Sequence, residues 1–234
     1  MSHLLADATW PLAESAAAGA LLAIPVGATE QHGPHLPLST DSDIAVALAG
    51  ELAARRPEVV VAPLLAYGSS GEHAGFPGTL SIGREATELV LIELCRSATE
   101  SFDRVLLIST HGGNAGPARA AVARLRAEDR DVRAWSPHWK GDAHAGATET
   151  SVMLALDPGR VGPESAEAGN TTPIDGLIPD LVERGVRELS PNGILGDPRG
   201  ASADQGRALL EMAVADLEAS VAAWRAAETA GAHR

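Results

Sequence analysis

The stretch that decides the fold runs from residue 19 to residue 55 and reads GALLAIPVGATEQHGPHLPLSTDSDIAVALAGELAAR. Its apolar beginning, GALLAIPVGA, is typical of a strand buried on both faces. Its end, TDSDIAVALAGELAAR, starts with capping residues and then places apolar residues at helical spacing, which predicts a helix. The stretch that joins them, TEQHGPHLPLSTD, carries Glu30, His32, His35 and Asp41 on a backbone that its prolines and glycine keep from becoming a helix.

The rest of the chain continues this alternation of strands and helices. Further strands are predicted at residues 58–68, 104–110 and 131–137, and further helices at residues 84–102, 115–128, 148–158 and 204–227. Strands that alternate with helices form parallel sheets covered on both faces. The sequence therefore predicts an α/β fold in three layers, α/β/α, with a mainly parallel central sheet. Residues 159–200 are rich in glycine and proline and only weakly periodic, and no linker is visible, so one domain is expected over residues 1–234.

Composition limits the partners and the compartment. A formal net charge of −13 argues against nucleic acid and against an anionic membrane surface, because both attract clustered lysine and arginine. No apolar run reaches the roughly 18 residues of a membrane span, and the first residues lack the basic start of a signal peptide. A cytoplasmic protein is expected. The one cysteine, Cys95, is expected to be a buried hydrophobic residue of a helix, so any metal site must use histidine and carboxylate.

Polar side chains directly follow two of the predicted strands. The first loop holds Glu30, His32 and Asp41, and His111 comes immediately after the strand RVLLIST. In open α/β sheets, sites form at the carboxyl ends of the strands, so these four side chains are expected to converge. Imidazole and carboxylate together suit Zn, Fe or Mn. Two such ions about 3.5–4 Å apart can activate a water molecule and polarise a carbonyl group.

Each candidate residue also has a simpler interpretation. A polar loop residue is often only solvated, and Asp41 can serve as the N-cap of its helix. The segment DAHAGATETS adds His144, a candidate ligand, acid/base or substrate contact. It also adds Glu149, which the first turn of a helix favours on dipole grounds alone. Glu72 and His73, in GSSGEHAGFPG, are interpreted as a surface turn rather than as a lid over the substrate.

Four motifs resemble the creatininase family of metal-dependent amidohydrolases. They are PVGATEQHGPHLPLSTDSDIA, STHGGNAGP, DAHAGATETS and GDPRGASADQG, and they stand in family order across nearly the whole chain. The resemblance implies that each chain binds two divalent metal ions, Zn, Fe or Mn, through Glu30, His32, Asp41 and His111, with Asp41 bridging the two. It also implies hydrolysis of a C–N amide bond, in which we expect His144 to carry a proton to the leaving nitrogen.

Two departures from the family pattern argue against creatinine as the substrate. Creatinine-hydrolysing members carry a metal-binding glutamate two residues after the loop histidine, where this chain has Gly113. We expect Glu149 to supply the missing carboxylate, either as a metal ligand or as a catalytic group. Those members also carry a tryptophan just ahead of the histidine of the third motif, and in HWKGDAH the residue nearest to that place is Lys140.

The loop YGSSGEHAGFPGTLSIG resembles a branch of the family found with mycofactocin, a peptide-derived redox cofactor. In that branch the enzyme is similar to a peptidase that removes a C-terminal dipeptide, derived from Val-Tyr, from a modified precursor peptide. This peptide is the expected substrate. The alternatives are a small-molecule amidohydrolase of creatinine or formamide type and a non-catalytic, metal-stabilised protein. Family members are commonly homo-oligomers, often hexamers, so the resemblance also implies an oligomer.

Overall fold

Four parallel strands form the central sheet of the computed structural model, which describes residues 4–231 and the side chains of residues 4–226. The strands are β1 (Leu21–Val26), β2 (Val59–Val61), β3 (Arg104–Ser109) and β4 (Val132–Trp135), in the order β2-β1-β3-β4. β1 and β3 pair along their whole length, and Val26 stands opposite Ser109 at the end. The loops that follow these two strands therefore leave the same edge of the sheet side by side.

Helices cover both faces of the sheet. They are α1 (Trp10–Ala17), α2 (Thr40–Arg55), α3 (Arg84–Ala98), α4 (Ala115–Ala127), α5 (Ala147–Leu156), α6 (Ile174–Arg184), α7 (Val186–Leu189) and α8 (Ala203–Gly231). Because side chains alternate along a strand, Leu21 and Ala23 of β1 pack with α2, α5 and α8, while Leu22 and Ile24 pack with α3 and α4. The predicted α/β/α layering around a parallel sheet is confirmed.

Some predicted boundaries are wrong where a proline or a local hydrogen bond decides. β2 ends at Val61 and not at residue 68, since the next N–H that β1 would donate to it falls at Pro25, which has none. α3 ends at Ala98 and not at residue 102, because the N–H groups of Glu100 and Ser101 donate to carbonyls three residues back and no longer four. α1 was not predicted from the sequence.

α6 lies in the segment of residues 159–200, for which the sequence analysis found only weak periodicity. Its apolar residues nevertheless stand at helical spacing, at Ile174, Leu177, Ile178, Leu181 and Val182. Leu177 is buried, whereas Ile178 and Val182 are 50% and 84% exposed. Much of the apolar stripe of α6 is therefore exposed to solvent.

Cys95 is buried in α3, as predicted, and burial raises the pKa of its thiol to about 12. A thiol with so high a pKa is a poor nucleophile at neutral pH.

None of the helices within residues 4–231 combines the length and the apolar character that crossing a bilayer demands.

Candidate metal centre

The chain segments that follow β1 and β3 are tied together at the carboxyl edge of the sheet. The N–H of Thr110 donates to the carbonyl of Val26 over 3.3 Å. The hydroxyl of Thr110 donates to the carbonyl of Asp41, in the first turn of α2, over 2.7 Å. These bonds hold the start of α2 beside His111, the residue after Thr110, as the parallel pairing of β1 and β3 requires.

The predicted site residues converge on one buried centre. Oε1 of Glu30 lies 3.2 Å from Nδ1 of His111, which lies 3.5 Å from Oδ2 of Asp41. The other oxygen of Asp41, Oδ1, lies 3.5 Å from Nε2 of His32. That nitrogen lies 3.9 Å from Oε2 of Glu149. Asp41 therefore turns one oxygen toward each of two histidines.

Several polar atoms of this centre are buried without a protein partner. Among the described residues, both carboxylate oxygens of Glu30, Oδ2 of Asp41 and Nε2 of His32 make no hydrogen bond. A buried carboxylate without partners is costly, and a bound cation removes that cost. The donor set of carboxylate oxygen and imidazole nitrogen also matches the ligands of divalent transition metals. The residues present therefore fit a metal centre.

Among the described residues, the ligand atoms fall into three groups, and within each group they lie within 4.8 Å of one another. The first group is Glu30, Asp41 and His111, the second is His32, His144 and Glu149, and the third is Glu30, His73 and His144, which overlaps the other two. The first and second groups share no residue. The contact between Asp41 and His32 joins them. This arrangement offers places for two ions on either side of Asp41. His144, which the sequence left open as ligand or acid/base, stands in the second group.

Backbone carbonyls orient three of the histidines. They bond Nδ1 of His32 to the Glu30 carbonyl (3.1 Å), Nε2 of His111 to the Ser69 carbonyl (2.8 Å) and Nε2 of His144 to the Gln31 carbonyl (2.9 Å). A carbonyl oxygen only accepts, so the bonded nitrogen of each ring carries a proton. The other nitrogen of each ring faces the carboxylates, where it can hold a metal ion or a second proton. Proteins orient metal-binding histidines in this way.

The carboxylates shift the pKa values of the central groups strongly. Burial alone lowers the pKa of His32 and of His111, but Asp41 and Glu149 at His32, and Glu30 and Asp41 at His111, outweigh it. Both pKa values rise to about 10. Burial raises the pKa of Glu149 to about 7. Carboxylates that keep imidazole protonated up to such a high pH create a strongly negative potential. A divalent cation can replace the protons there.

His73 belongs to this centre, although the sequence analysis interpreted its loop as a surface turn. The residue is 4% exposed, and its Nε2 lies 3.4 Å from Oε1 of Glu30. Its neighbour Glu72 is partly buried, with Oε1 3.7 Å from Nε2 of His111. The signal that was missed is topological, because the loop of Glu72 and His73 follows β2 and therefore leaves the same carboxyl edge as the other two.

An aromatic ring also reaches the neighbourhood of the centre. Trp139 lines a cavity of about 230 Å³ together with Ser109, Thr148 and Glu149. Its indole Nε1 is buried and has no partner among the described residues. Lys140, which the sequence analysis compared with the tryptophan of creatinine-hydrolysing relatives, is exposed. The aromatic side chain that reaches the centre stands one position earlier, at Trp139.

The centre opens into a larger cleft of about 760 Å³. Its inner end is formed by His73, His111 and His144. Its outer wall is formed by α6, which contributes the aliphatic residues Ile174, Ile178, Leu181 and Val182. A molecule that reaches the ligand atoms through this cleft must pass the exposed apolar side of α6.

Comparisons with known proteins agree with this geometry. The family model described as "Creatininase: Creatinine amidohydrolase" matches residues 6–221. The chain is 45% identical over 226 residues to the mycofactocin precursor peptide peptidase of Mycobacterium ulcerans, covering 92% of this chain and 86% of the relative. It is 46% identical over 214 residues to the protein of the same name from Mycobacterium tuberculosis, covering 87% of this chain and 85% of the relative.

Solved structures give the same result at the level of the fold. A creatinine amidohydrolase (creatininase) superposes with a TM-score of 0.80 at 28% identity, over 94% of this chain and 96% of that one. A creatininase described as a Mn form superposes with a TM-score of 0.80 at 26% identity, over 94% and 98%. A mutant creatininase of Zn-Zn type gives 0.79 at 26%, over 94% and 97%. With the family model spanning most of its length, the chain belongs to the creatininase family of metal-dependent amidohydrolases.

Proposed function

We propose that the chain is the peptidase that removes the C-terminal dipeptide from the modified mycofactocin precursor peptide. The observation that carries the proposal is the set of buried, partnerless ligand atoms at the inner end of an open cleft. Such a set can act on an amide carbonyl that enters the cleft. The two mycobacterial relatives of about 45% identity, which are named for this peptide, support the choice of substrate.

The cleft suits the end of a peptide better than a small ring. Its volume of about 760 Å³ lies within the range of roughly 300–1,000 Å³ that is usual for ligand sites. A single lactam or formamide would leave most of it empty. The aliphatic side chains of Ile178, Leu181 and Val182 line it, and they offer an apolar surface to a unit derived from Val-Tyr.

The proposed centre holds two divalent ions. Glu30, Asp41 and His111 would hold one ion, and His32, Asp41 and Glu149 would hold the other. Asp41 would then serve both ions, and Glu149 would supply the carboxylate that Gly113 lacks. Zn, Fe and Mn all suit these ligands, and solved relatives with Mn and Zn-Zn in their descriptions support that range. When bound, such a pair polarises an amide carbonyl and lowers the pKa of a water molecule.

The chain itself supplies the groups that move protons. Nδ1 of His144 faces the centre, and burial lowers the pKa of this ring well below its ordinary value. A neutral imidazole in that place can take a proton and pass it to the leaving nitrogen. Without a metal ion on its carboxylate, Glu149 has its pKa raised to about 7 by burial, and in that state it can also exchange a proton near neutral pH.

The proposal includes a homo-oligomer, with a hexamer as the first state to test, and a cytoplasmic location. No nucleic acid and no membrane is proposed as a partner. The formal net charge of −13 supports the absence of polyanionic partners. The buried, unpaired Cys95 suits a reducing compartment.

The test is mass spectrometry of the metal-supplemented protein incubated with the modified precursor peptide. We expect release of the C-terminal dipeptide, and we expect release to stop with a chelator and in Asp41→Ala. Metal binding without release, but with hydrolysis of a formamide or a lactam, would make the chain a small-molecule amidohydrolase. Metal binding with no hydrolysis of any amide, and a large loss of thermal stability on chelation, would make it a metal-stabilised protein.

A further inference from the structure

The side-chain amide of Gln31 has its orientation fixed by two backbone groups. Its Oε1 accepts a hydrogen bond from the N–H of Gly33 over 2.9 Å. Its Nε2 donates to the carbonyl of Gly193 over 2.9 Å. A backbone N–H only donates and a backbone carbonyl only accepts, so the amide oxygen and nitrogen cannot be exchanged. The nitrogen of Gln31 has one more proton to give.

That second proton goes to His73. Nε2 of Gln31 lies 2.8 Å from Nδ1 of His73 and 3.0 Å from Nε2 of His144. The His144 nitrogen donates its own proton to the carbonyl of Gln31 over 2.9 Å, so it is not free to accept. Nδ1 of His73 must therefore accept, and the neutral ring then carries its proton on Nε2. This Nε2–H faces Oε1 of Glu30, 3.4 Å away.

His73 thus differs from the three other histidines of the centre. In those rings the outer nitrogen, the one that faces away from the carboxylates, donates to a backbone carbonyl. The inner nitrogen, which faces the carboxylates, is then open to a metal ion. In His73 the outer nitrogen accepts, so the inner nitrogen presents a proton. We propose that Gln31 is a positioning residue that keeps the proton of His73 on Nε2, directed at Glu30, so that His73 orients a metal-binding carboxylate and does not itself bind metal.

This inference rests on the metal centre of the proposed function, but its first test does not need activity. In the zinc-loaded protein with ¹⁵N-labelled histidine, long-range ¹H–¹⁵N spectra report which nitrogen of each ring carries a proton or a metal. We expect His73, identified by its absence in His73→Gln, to be protonated on Nε2 and unprotonated on Nδ1. A metal-bound Nε2, or a proton on Nδ1, would overturn the proposal.

Gln31→Glu tests whether Gln31 sets the position of the proton on His73, because a carboxylate only accepts hydrogen bonds. We expect it to move the proton of His73 from Nε2 to Nδ1. The matched control is Gln205→Glu, which adds the same charge at the other glutamine of the chain, an exposed residue of α8. It should leave the spectrum of His73 unchanged. An unmoved proton in folded Gln31→Glu contradicts the proposal.

Zinc affinity gives a second readout, which remains available if Gln31→Glu does not fold. A glutamine at position 73 places an amide nitrogen where Nε2 stood and preserves a donor to Glu30, whereas a leucine does not. We expect His73→Gln to bind zinc nearly as the wild type does, and His73→Leu to bind about 10–100-fold more weakly, the usual effect of losing a partner of a metal ligand. Equal losses in both variants would make His73 a ligand. Failure of the wild type to bind zinc would overturn the proposed function, while the spectrum of the metal-free protein would still report the proton of His73.

Discussion

Glu72 occupies the space that a side chain at position 113 would need: a Cβ atom built on Gly113 would lie 2.6 Å from Oε1 of Glu72. The same Cβ atom would lie 2.1 Å from the carbonyl oxygen of Ser69, which is backbone and cannot swing aside. The glutamate that creatinine-hydrolysing relatives carry at this place therefore has no room here. A carboxylate from another loop stands in the neighbourhood instead, on the cleft side of His111.

Gly113→Ala should consequently destabilise the fold, because the backbone around Ser69 must shift. We expect the free energy of unfolding to fall by about 1–3 kcal/mol, the range for overpacked sites. The control is Gly50→Ala in α2, where an added Cβ would meet nothing within 4 Å. That change should raise the free energy of unfolding by up to about 1 kcal/mol, because alanine favours the helix. Urea unfolding of both variants measures the contrast, and equal effects would contradict the steric argument.

Asp41→Ala should abolish activity and remove most of the bound metal, since the two oxygens of Asp41 face His32 and His111 separately. The measurement is metal content per chain after dialysis, together with peptide cleavage. Asp43→Ala is the matched control in the same turn of α2, where the carboxylate pairs with Arg160 and not with the centre. Asp43→Ala should keep its metal. Two ions per chain retained in Asp41→Ala would refute a bridging role.

His144→Ala separates the two roles that remain open for this residue. Its Nδ1 lies 3.8 Å from Oε1 of Glu30, and its Nε2 is bound to the carbonyl of Gln31. If His144 carries protons, the variant should keep its metal and lose turnover by about 10²–10⁴-fold, the usual contribution of a general acid or base. We expect this result. Loss of metal along with activity would instead make His144 a ligand.

The parallel-strand rule was sufficient to predict that Glu30, His32, Asp41 and His111 converge. Glu30, His32 and His111 lie in the connections that directly follow β1 and β3, and Asp41 lies in the first turn of the helix after β1. Because β1 and β3 pair in parallel, these connections leave the same edge of the sheet. The rule does not predict the position of Glu149, because that position depends on how α5 packs against α8.

For His73 the rule predicts only that its loop leaves the same edge of the sheet, because the residue stands well beyond the end of β2. Long-range bonds fold its loop back onto the centre: the N–H of Leu80 donates to the carbonyl of Thr29 (2.8 Å), and the N–H of Gln31 donates to the hydroxyl of Thr79 (3.1 Å). No local pattern in the sequence reports bonds between segments so far apart. The position of the ring is a property of the assembled sheet edge.

Val182→Asp should weaken peptide binding without affecting the chemical step. Val182 lies on the apolar wall of the cleft, away from the ligand atoms. Losing an apolar contact of this size corresponds to roughly tenfold in affinity, so we expect KM to rise about tenfold with little change in kcat. Val46→Asp, at an exposed valine of α2 outside the cleft, is the control and should behave as the wild type. A fall in kcat at unchanged KM would place the peptide elsewhere.

The stability of the metal-free protein should fall as the pH rises from about 6.5 to about 10. Folding raises the pKa of His32 and of His111 from 6.5 to about 10, since the neighbouring carboxylates outweigh burial. The folded state therefore keeps protons in this window that the unfolded state has released, and linkage makes the free energy of unfolding fall as pH increases. Below pH 6.5 both states hold these protons, and the contribution is fully present.

Zinc should remove this dependence, because the ion replaces the protons on the inner ring nitrogens. We expect thermal unfolding of the chelator-treated protein to show a midpoint that declines between pH 6.5 and pH 10. The zinc-loaded protein should show no such decline, and its affinity for zinc should rise with pH as proton competition weakens. Parallel declines with and without zinc would mean that His32 and His111 do not exchange protons for metal.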